Sequence, residues 1–341
     1  MKRARVTLRD VARRLEVHPS TVSRVLNPKT RGMVTEDVAR RVIAAADEMG
    51  YRPNPFALSL KTNRSYIVGV LIPDLTNPLF PPIIRGVERT LAEAGYTVIL
   101  ANSDNQAERE RRNLGIFRER QVDGLVVATA HREDDLIAAT REDDIPLVLV
   151  NRATDDPETP WVINDDAVGI RQVVDHLAGL GHAAIAHLAG PQTLSTGHGR
   201  HRAFVEAMGE AGLVADDNSI AIASAFTEEE GRRAAAELLA DGPPFTAIVA
   251  GNDLLALGCY DALQAAGKRC PDDVSVTGYN DMPFADKFAP PLTTVRIPHD
   301  EMGVMAARLL LERIEGVRVK TRSAALRPAL IVRGSTARPP R

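Results

Sequence analysis

Eight short aliphatic runs, arranged in two successive series, restrict this chain more than any other feature. The first series reads "IVGVLIP", "YTVILAN", "GLVVAT" and "PLVLVN"; the second reads "AAIAHLAG", "SIAIAS", "TAIVAG" and "VSVTGYN". Runs of this length and continuity suit strands covered on both faces, which is the condition of a parallel sheet. Amphipathic segments near residues 82–94, 106–119 and 134–141 separate the first four, and segments near 167–180, 198–211, 228–240 and 254–266 accompany the second. Alternating strands and helices predict α/β architecture, here two doubly wound lobes. Such sheets bind ligands beyond the carboxyl ends of their strands. The loops at those ends hold Asp74, Asn77 and Phe80; Asn164 and Asp165; Ser195, Thr196 and Arg200; Asn252 and Asp253; and Tyr279, Asn280 and Asp281. Many short polar groups and few large apolar ones predict a small, hydrophilic, hydroxylated ligand.

The first 64 residues follow a different pattern. They carry 14 Lys and Arg against 6 Asp and Glu, a net charge of +8, which leaves −11 on the remainder of a chain whose total is −3. A basic head on an acidic body is the footprint of a nucleic-acid-binding module joined to a domain with another task. Within the head, "TLRDVARRLEV" offers Thr7 as an N-cap with Asp10 three residues later, and places Leu8, Val11, Ala12 and Leu15 on one face. A break near Glu16 and Val17 leads to Pro19, suited to a first helical turn, and then to "STVSRVLN". On a helix, Val22, Val25 and Leu26 share one side and Ser20, Ser23, Arg24 and Asn27 the other. A third helix is expected from Thr35, turning Val38, Val42, Ala45 and Met49 inward and ending at Gly50. This is a helix-turn-helix whose second helix can enter the DNA major groove, with Arg24 placed for bidentate hydrogen bonds to a guanine.

Residues 51–65, "YRPNPFALSLKTNRS", form a linker. Pro53 and Pro55 stop the preceding helix, while "FALSLK" allows one further short helix that has little to pack on. Leu60 beside Lys61 offers an aliphatic wedge with an adjacent cation for the minor groove.

"VTLRDVARRLEVHPSTVSRVLN", "YRPNPFALSLK" and "IVGVLIPDLTNP" together resemble the lactose-repressor/galactose-repressor (LacI/GalR) family of bacterial transcription regulators, and the likeness continues to about residue 335. The resemblance implies base-reading positions at Pro19, Ser20 and Arg24 and backbone-holding positions at Thr21, Ser23 and Asn27. It implies that Leu60 is an intercalating hinge leucine and that Lys61 follows the purine-repressor branch. Thr7, Leu8 and Ala57 complete the expected DNA-contacting set. "HLAGPQTLSTGHGRHRAF" matches the segment whose arginine grips ligand hydroxyls or a carboxyl group, which falls on Arg200. "AGNDLLALG" and "GYNDMPFADKFAPPLTTV" match the segments around Asn252 and Asn280. Two departures occur in the head: Glu16 stands where the family's turn usually has glycine, and His18 replaces the usual Ser or Thr cap. In the body, Asn164 and Asn280 stand where sugar-binding members often have Asp, which with Arg200 retained leaves room for a sugar acid or another acidic ligand. Asn also bonds neutral sugars, so the expected effector is a sugar or sugar acid.

The expected organisation is therefore a DNA-binding domain over 1–50, a hinge over 51–65 and an effector-binding and dimerisation domain over 66–341. Its first lobe is expected at about 66–166 and 294–325, and its second at about 167–293 and 326–341. The rival classes fit less well. An enzyme on this fold would be marked by GxGxxG after the first strand, GxxxxGK[ST] or a GxSxG elbow, none of which the sequence contains. His198 and His201 of "STGHGRH", with His187, lack a carboxylate at ligand spacing, so no metal or cofactor is expected. A secreted solute-binding protein would open on a signal peptide where this chain has the basic head. Two cysteines without CxxC spacing, and the lack of any long uncharged apolar stretch, favour a reducing cytoplasm and no membrane. The expected partners are operator DNA, a small effector and a second copy of the chain, with the effector switching DNA affinity.

Overall fold

Thr7 opens the first helix as the sequence predicts. Its hydroxyl accepts the Asp10 amide at 3.3 Å while the Asp10 carboxylate accepts the Thr7 amide at 2.9 Å, a complete capping box. The structure, a computed structural model, describes residues 6–26, 30–52, 64–316 and 323–340. They fall into two units, Met1–Ser65 and Tyr66–Arg341. In the first unit, α1 (Leu8–Arg14), α2 (Pro19–Leu26) and α3 (Glu36–Glu48) enclose a core of Val11, Ala12, Val22, Val25, Val42, Ala45 and Ala46, with Leu26, Val38 and Met49 packed at its edge. Gly50 ends α3 at φ +66°. Glu16 adopts φ 56° in the turn between α1 and α2, a left-handed conformation that costs a side-chain-bearing residue about 1–2 kcal/mol. His18 performs the capping its position requires: ring Nδ1 accepts the Ser20 amide at 3.2 Å. At the other end of α2, the hydroxyl of Thr30 and the Nε–H of Arg31 donate to the carbonyls of Arg24 and Val25, both at 3.0 Å.

In the second unit the chain runs β1 (Ile67–Ile72), α4 (Phe80–Glu93), β2 (Thr97–Asn102), α5 (Ala107–Glu119), β3 (Gly124–Val127), α6 (Asp135–Glu142), β4 (Leu147–Val150) and β5 (Trp161–Asn164). It continues through α7 (Asp166–Leu180), β6 (Ile185–Ala189), α8 (Ser195–Glu210), β7 (Ile220–Ile222), α9 (Glu228–Asp241), β8 (Ala247–Ala250), α10 (Asp253–Ala265) and β9 (Ser275–Asn280). Last come β10 (Thr293–Arg296), α11 (His299–Ile314), β11 (Ala324–Leu326) and β12 (Ala329–Ile331). Two six-stranded sheets result, ordered β11-β5-β4-β3-β1-β2 and β12-β10-β9-β8-β6-β7. Every pairing is parallel except β10 with β12.

Three crossings join the sheets: Asn164 to Asp166, Arg296 to His299, and Leu326 to Ala329. The second lies later than the expected boundary at 294, because β10 hydrogen-bonds to β9 from Thr293 to Arg296 and so belongs to the second sheet. Helices pack closely where glycines meet backbone. A Cβ on Gly303 of α11 would lie 2.0 Å from the Ile83 carbonyl of α4, and one on Gly86 would lie 2.3 Å from the Asp300 carbonyl. The α9 and α10 pair repeats the arrangement, with Gly258 facing the Glu228 carbonyl and Gly231 facing that of Leu255.

Candidate functional site

On the head, α2 presents the face that the sequence predicts. Ser20 and Arg24 are exposed, Pro19, Thr21 and Ser23 are half-buried, and Val22 and Val25 are fully withdrawn into the core. Ser20 Oγ lies 2.7 Å from His18 Nδ1, which fixes the hydroxyl at the start of the helix. Thr7 is exposed and Leu8 half-buried at the start of α1. Asn27, Ala57, Leu60 and Lys61 lie outside the described residues.

In the body, the carboxyl ends of both sheets gather most of the expected polar residues, and their partners separate them into two kinds. Some are engaged locally. The Asp74 carboxylate accepts the Thr76 amide at 2.8 Å and hydroxyl at 2.7 Å, and Asn77 accepts the Leu79 amide at 3.0 Å, so both shape the loop from β1 to α4. Asn252 and Asp165 are N-caps of α10 and α7, accepting Leu255 and Val168 amides at 2.8 and 3.1 Å. Phe80 packs in the core cluster and is 2% exposed, because it begins α4 on the face turned to the sheet. Asp253 is fully buried, its oxygens taken by the Met282 amide at 2.7 Å and by the Thr294 hydroxyl.

Other side chains keep unused hydrogen-bonding capacity. Asn164, at the end of β5, turns its amide nitrogen to Met302 Sδ at 3.4 Å while its Oδ1 is buried without a partner. Asn280, at the end of β9, has φ 113° and a buried, unpartnered Oδ1. Asn151, just after β4, has φ 66° and the same unpartnered oxygen. Its neighbour Arg152 donates from Nη1 to the Thr129 carbonyl at 3.2 Å, and its Nε is buried without a partner. Burial of the guanidinium lowers its pKa to about 10, although Glu110 nearby opposes the fall. Burial also raises the Glu110 carboxyl, which the Thr129 hydroxyl partly offsets by hydrogen bonding. Buried polar atoms are ordinarily paired, so three open amide oxygens and one open guanidinium nitrogen at the ends of β4, β5 and β9 are unused hydrogen-bonding capacity, open to donors and to an acceptor respectively.

Arg200, on α8 of the second lobe, is held by several groups of the protein. Only 2% exposed, it donates from Nε to Asp166 at 3.1 Å and from Nη1 to the Gly251 carbonyl at 2.8 Å, and its guanidinium carbon lies 3.8 Å from the Tyr279 ring centroid. Nearby, the Thr196 side chain is buried and Ser195 accepts the Ala153 amide at 2.9 Å, joining the two lobes; the Arg132 amide donates to the Thr193 carbonyl at 2.9 Å beside it. Sequence reasoning passed over Arg152, Asn151 and Asp166. Each adjoins a recognised strand or helix, and their only signal is position at a strand's carboxyl end. The ring of Phe226 packs against Gly190, so closely that a Cβ there would sit 2.2 Å from it. The histidines of "STGHGRH" meet no metal-holding group of three ligands among the described residues. Burial drives His187 down to about 3, and its ring stacks on Phe204 at 4.6 Å between centroids.

A helix-turn-helix head joined to a body of two parallel sheets, with polar groups gathered at the strand ends, defines a ligand-responsive, DNA-binding transcription repressor. The comparisons agree. Residues 7–54 match the model for bacterial regulatory proteins of the lacI family, and residues 65–331 match that for periplasmic binding proteins and the sugar-binding domain of the LacI family. The chain belongs to the LacI family. It is 36% identical over 330 residues to the transcriptional repressor PurR of Photobacterium profundum, covering 96% of this chain and 98% of that one. It is 34% identical to the ribose operon repressor of Escherichia coli strain K12, covering 96% and 99%. Among solved structures it is similar to the lac repressor dimer bound to operator and the anti-inducer ONPF, with a TM-score of 0.84 and 26% identity over 98% of this chain and all of that one. It is also similar to the CelR–cellobiose complex, with a TM-score of 0.75 and 32% identity over 97% and 100%. No helix among the described residues is long and apolar enough to cross a membrane.

Proposed function

We propose that this repressor acts in the cytoplasm as a homodimer on a pseudo-palindromic operator, without enzymatic activity, and that its effector is a small polyhydroxylated molecule carrying an acidic group. The observation that carries the effector class is the open capacity at the strand ends. The unpartnered oxygens of Asn151, Asn164 and Asn280 need donors, which sugar hydroxyls supply, and the buried Nε–H of Arg152 needs an acceptor. Arg200 already has the Asp166 carboxylate hydrogen-bonded to it, whereas the carboxylate near Arg152, Glu110, acts on it only as a neighbouring charge and bonds to Thr129. A carboxylate or phosphate on the effector supplies what Arg152 lacks. A ribose operon repressor and a cellobiose complex among the similar proteins support the sugar part of this reading.

The test is thermal unfolding with neutral sugars (ribose, cellobiose, galactose) and their acidic counterparts (gluconate, galacturonate, ribose 5-phosphate), followed by operator binding with each hit. An acidic sugar should raise the melting temperature saturably and change DNA affinity by about 1–3 kcal/mol. Arg152→Met should lose that response while keeping any response to the neutral sugar. Equal responses of both proteins to the acid would remove Arg152 from the site.

Pro19, Ser20 and Arg24 are assigned to base reading, Thr21, Ser23 and Asn27 to the DNA backbone, and Thr7 and Leu8 to DNA contact. Ala57, Leu60 and Lys61 are assigned to the hinge contact. Arg24→Ala should weaken specific binding by about 1–3 kcal/mol and relax preference at one position of each half-site, read by competition against single-base operator variants. An equal loss on random DNA would make Arg24 a phosphate contact.

A further inference from the structure

Asp253, expected at the ligand, is fully buried with both carboxylate oxygens engaged by the protein itself. It begins α10, directly after the N-cap Asn252, and is 0% exposed. One carboxylate oxygen accepts the amide of Met282 at 2.7 Å and the other accepts the hydroxyl of Thr294. Met282 lies in the loop that follows Asn280; Thr294 lies in β10, two residues before the crossing from Arg296 to His299. A Cβ on Gly278 would come within 2.3 Å of the same carboxylate, so the β9 backbone passes directly against it. The loop it holds is strained: Asn280, Asp281 and Phe284 have φ of 113°, 53° and 75°. Side chains in such conformations persist only where their surroundings impose them.

We propose that Asp253 is a positioning residue, whose carboxylate pins the loop bearing Asn280 and ties it to the strand that leads into the lobe crossing. The inference rests on Asn280 belonging to the effector surface, as proposed above. The charged groups facing Asp253 are Asp281 and Arg200. Behind them, Asp281 pairs with Arg296 at 2.6 Å and with Arg333 at 2.6 Å, His299 adjoins Asp281 and Arg296, and Asp166 pairs with Arg200. Burial lifts the Asp253 carboxyl to about 7, against the lowering effect of its hydrogen bonds to Thr294 and Met282. For an acid whose pKa rises on folding, the folded state binds the extra proton between the ordinary aspartate value of 3.8 and about 7. Its contribution to stability is therefore complete below that interval and is lost as pH rises through about 7.

Three variants of the full chain test this by thermal unfolding across pH and by hydrogen exchange. Asp253→Asn can still accept from Met282 and can donate to the Thr294 hydroxyl, so it should keep the loop protected while losing the pH-dependent step. Asp253→Ala removes the acceptor of both bonds and should speed exchange at the Met282 amide by about tenfold or more. Thr294→Val removes a bond that holds the carboxyl down, so it should move the pH midpoint upward, an effect that simple loss of packing does not produce. Persistence of the step in Asp253→Asn would overturn the proposal. So would unchanged exchange in Asp253→Ala or an unmoved midpoint in Thr294→Val, and the two conservative variants remain decisive if the alanine variant does not fold. Sugar titration separates the readings: loosening of the loop with no response to any probe sugar indicts the effector surface and leaves Asp253 as the pin.

Discussion

Replacing Arg200 by alanine should abolish the ligand response and lower the stability of the body by about 3–5 kcal/mol. The size follows from what Arg200 leaves behind. Asp166 loses the cation that neutralises it, the Gly251 carbonyl loses a donor, and the Tyr279 ring loses the guanidinium stacked on it. Breaking a buried pair from one side costs far more than removing both partners together. The double variant Arg200→Met with Asp166→Asn should therefore recover part of the stability and none of the ligand response. Urea unfolding of the body, monitored with and without a responding sugar, reads both quantities. A loss below about 1 kcal/mol would mean that the Arg200–Asp166 pair is solvated like a surface ion pair.

Gly303→Val should be at least as damaging, by about 3 kcal/mol or more, although it touches none of the candidate site's polar groups. The new Cβ would meet the Ile83 carbonyl at 2.0 Å and the Val87 nitrogen at 2.9 Å, both backbone atoms of a packed helix. Neither can move aside as a flexible side chain would, so α11 has to lift from α4. Gly303→Ala should show most of the effect, since the first carbon makes the contact. The head is a separate unit, and its own unfolding transition should be unchanged. An unaltered unfolding midpoint of the body would show that the two helices tolerate a wider separation.

Reading strands from aliphatic runs works in this chain where a strand is buried on both faces and fails where it is not. "IVGVLIP" and "TAIVAG" announce β1 and β8 because sheet interiors need unbroken apolar runs. β5, β10, β11 and β12 were not recognised: "WVIN" and "TTVR" mix polar groups into four residues, and β11 and β12 have three residues each. Their assignment depends on pairing with distant strands, which no local pattern encodes. The head was read more fully, since capping box, helix periodicity and terminal glycine act within a few residues. Among the candidate site residues, Arg200 and Asn280 were recognisable by placement at a strand end or within a family motif. Asp253 occupies an equally suggestive position, and only the backbone of Met282 and the hydroxyl of Thr294, which come 29 and 41 residues later, turn it inward. Arg152 stands in a polar loop, where an arginine ordinarily signifies nothing but solvent.

The three crossings between the sheets also impose an order of events during synthesis. The head's core is complete by Tyr51, so it can form as soon as it clears the ribosome. The first sheet cannot: its edge strand β11 and the helix α11 that covers α4 are translated only after the whole second series of strands. At roughly 5–20 residues per second, the first lobe waits about ten seconds or more with its α4 face uncovered. A message cut short anywhere in that interval would yield a DNA-binding head attached to a lobe that cannot close. Such a fragment would hold the basic charge that draws the protein to DNA and none of the machinery by which a ligand could call it off.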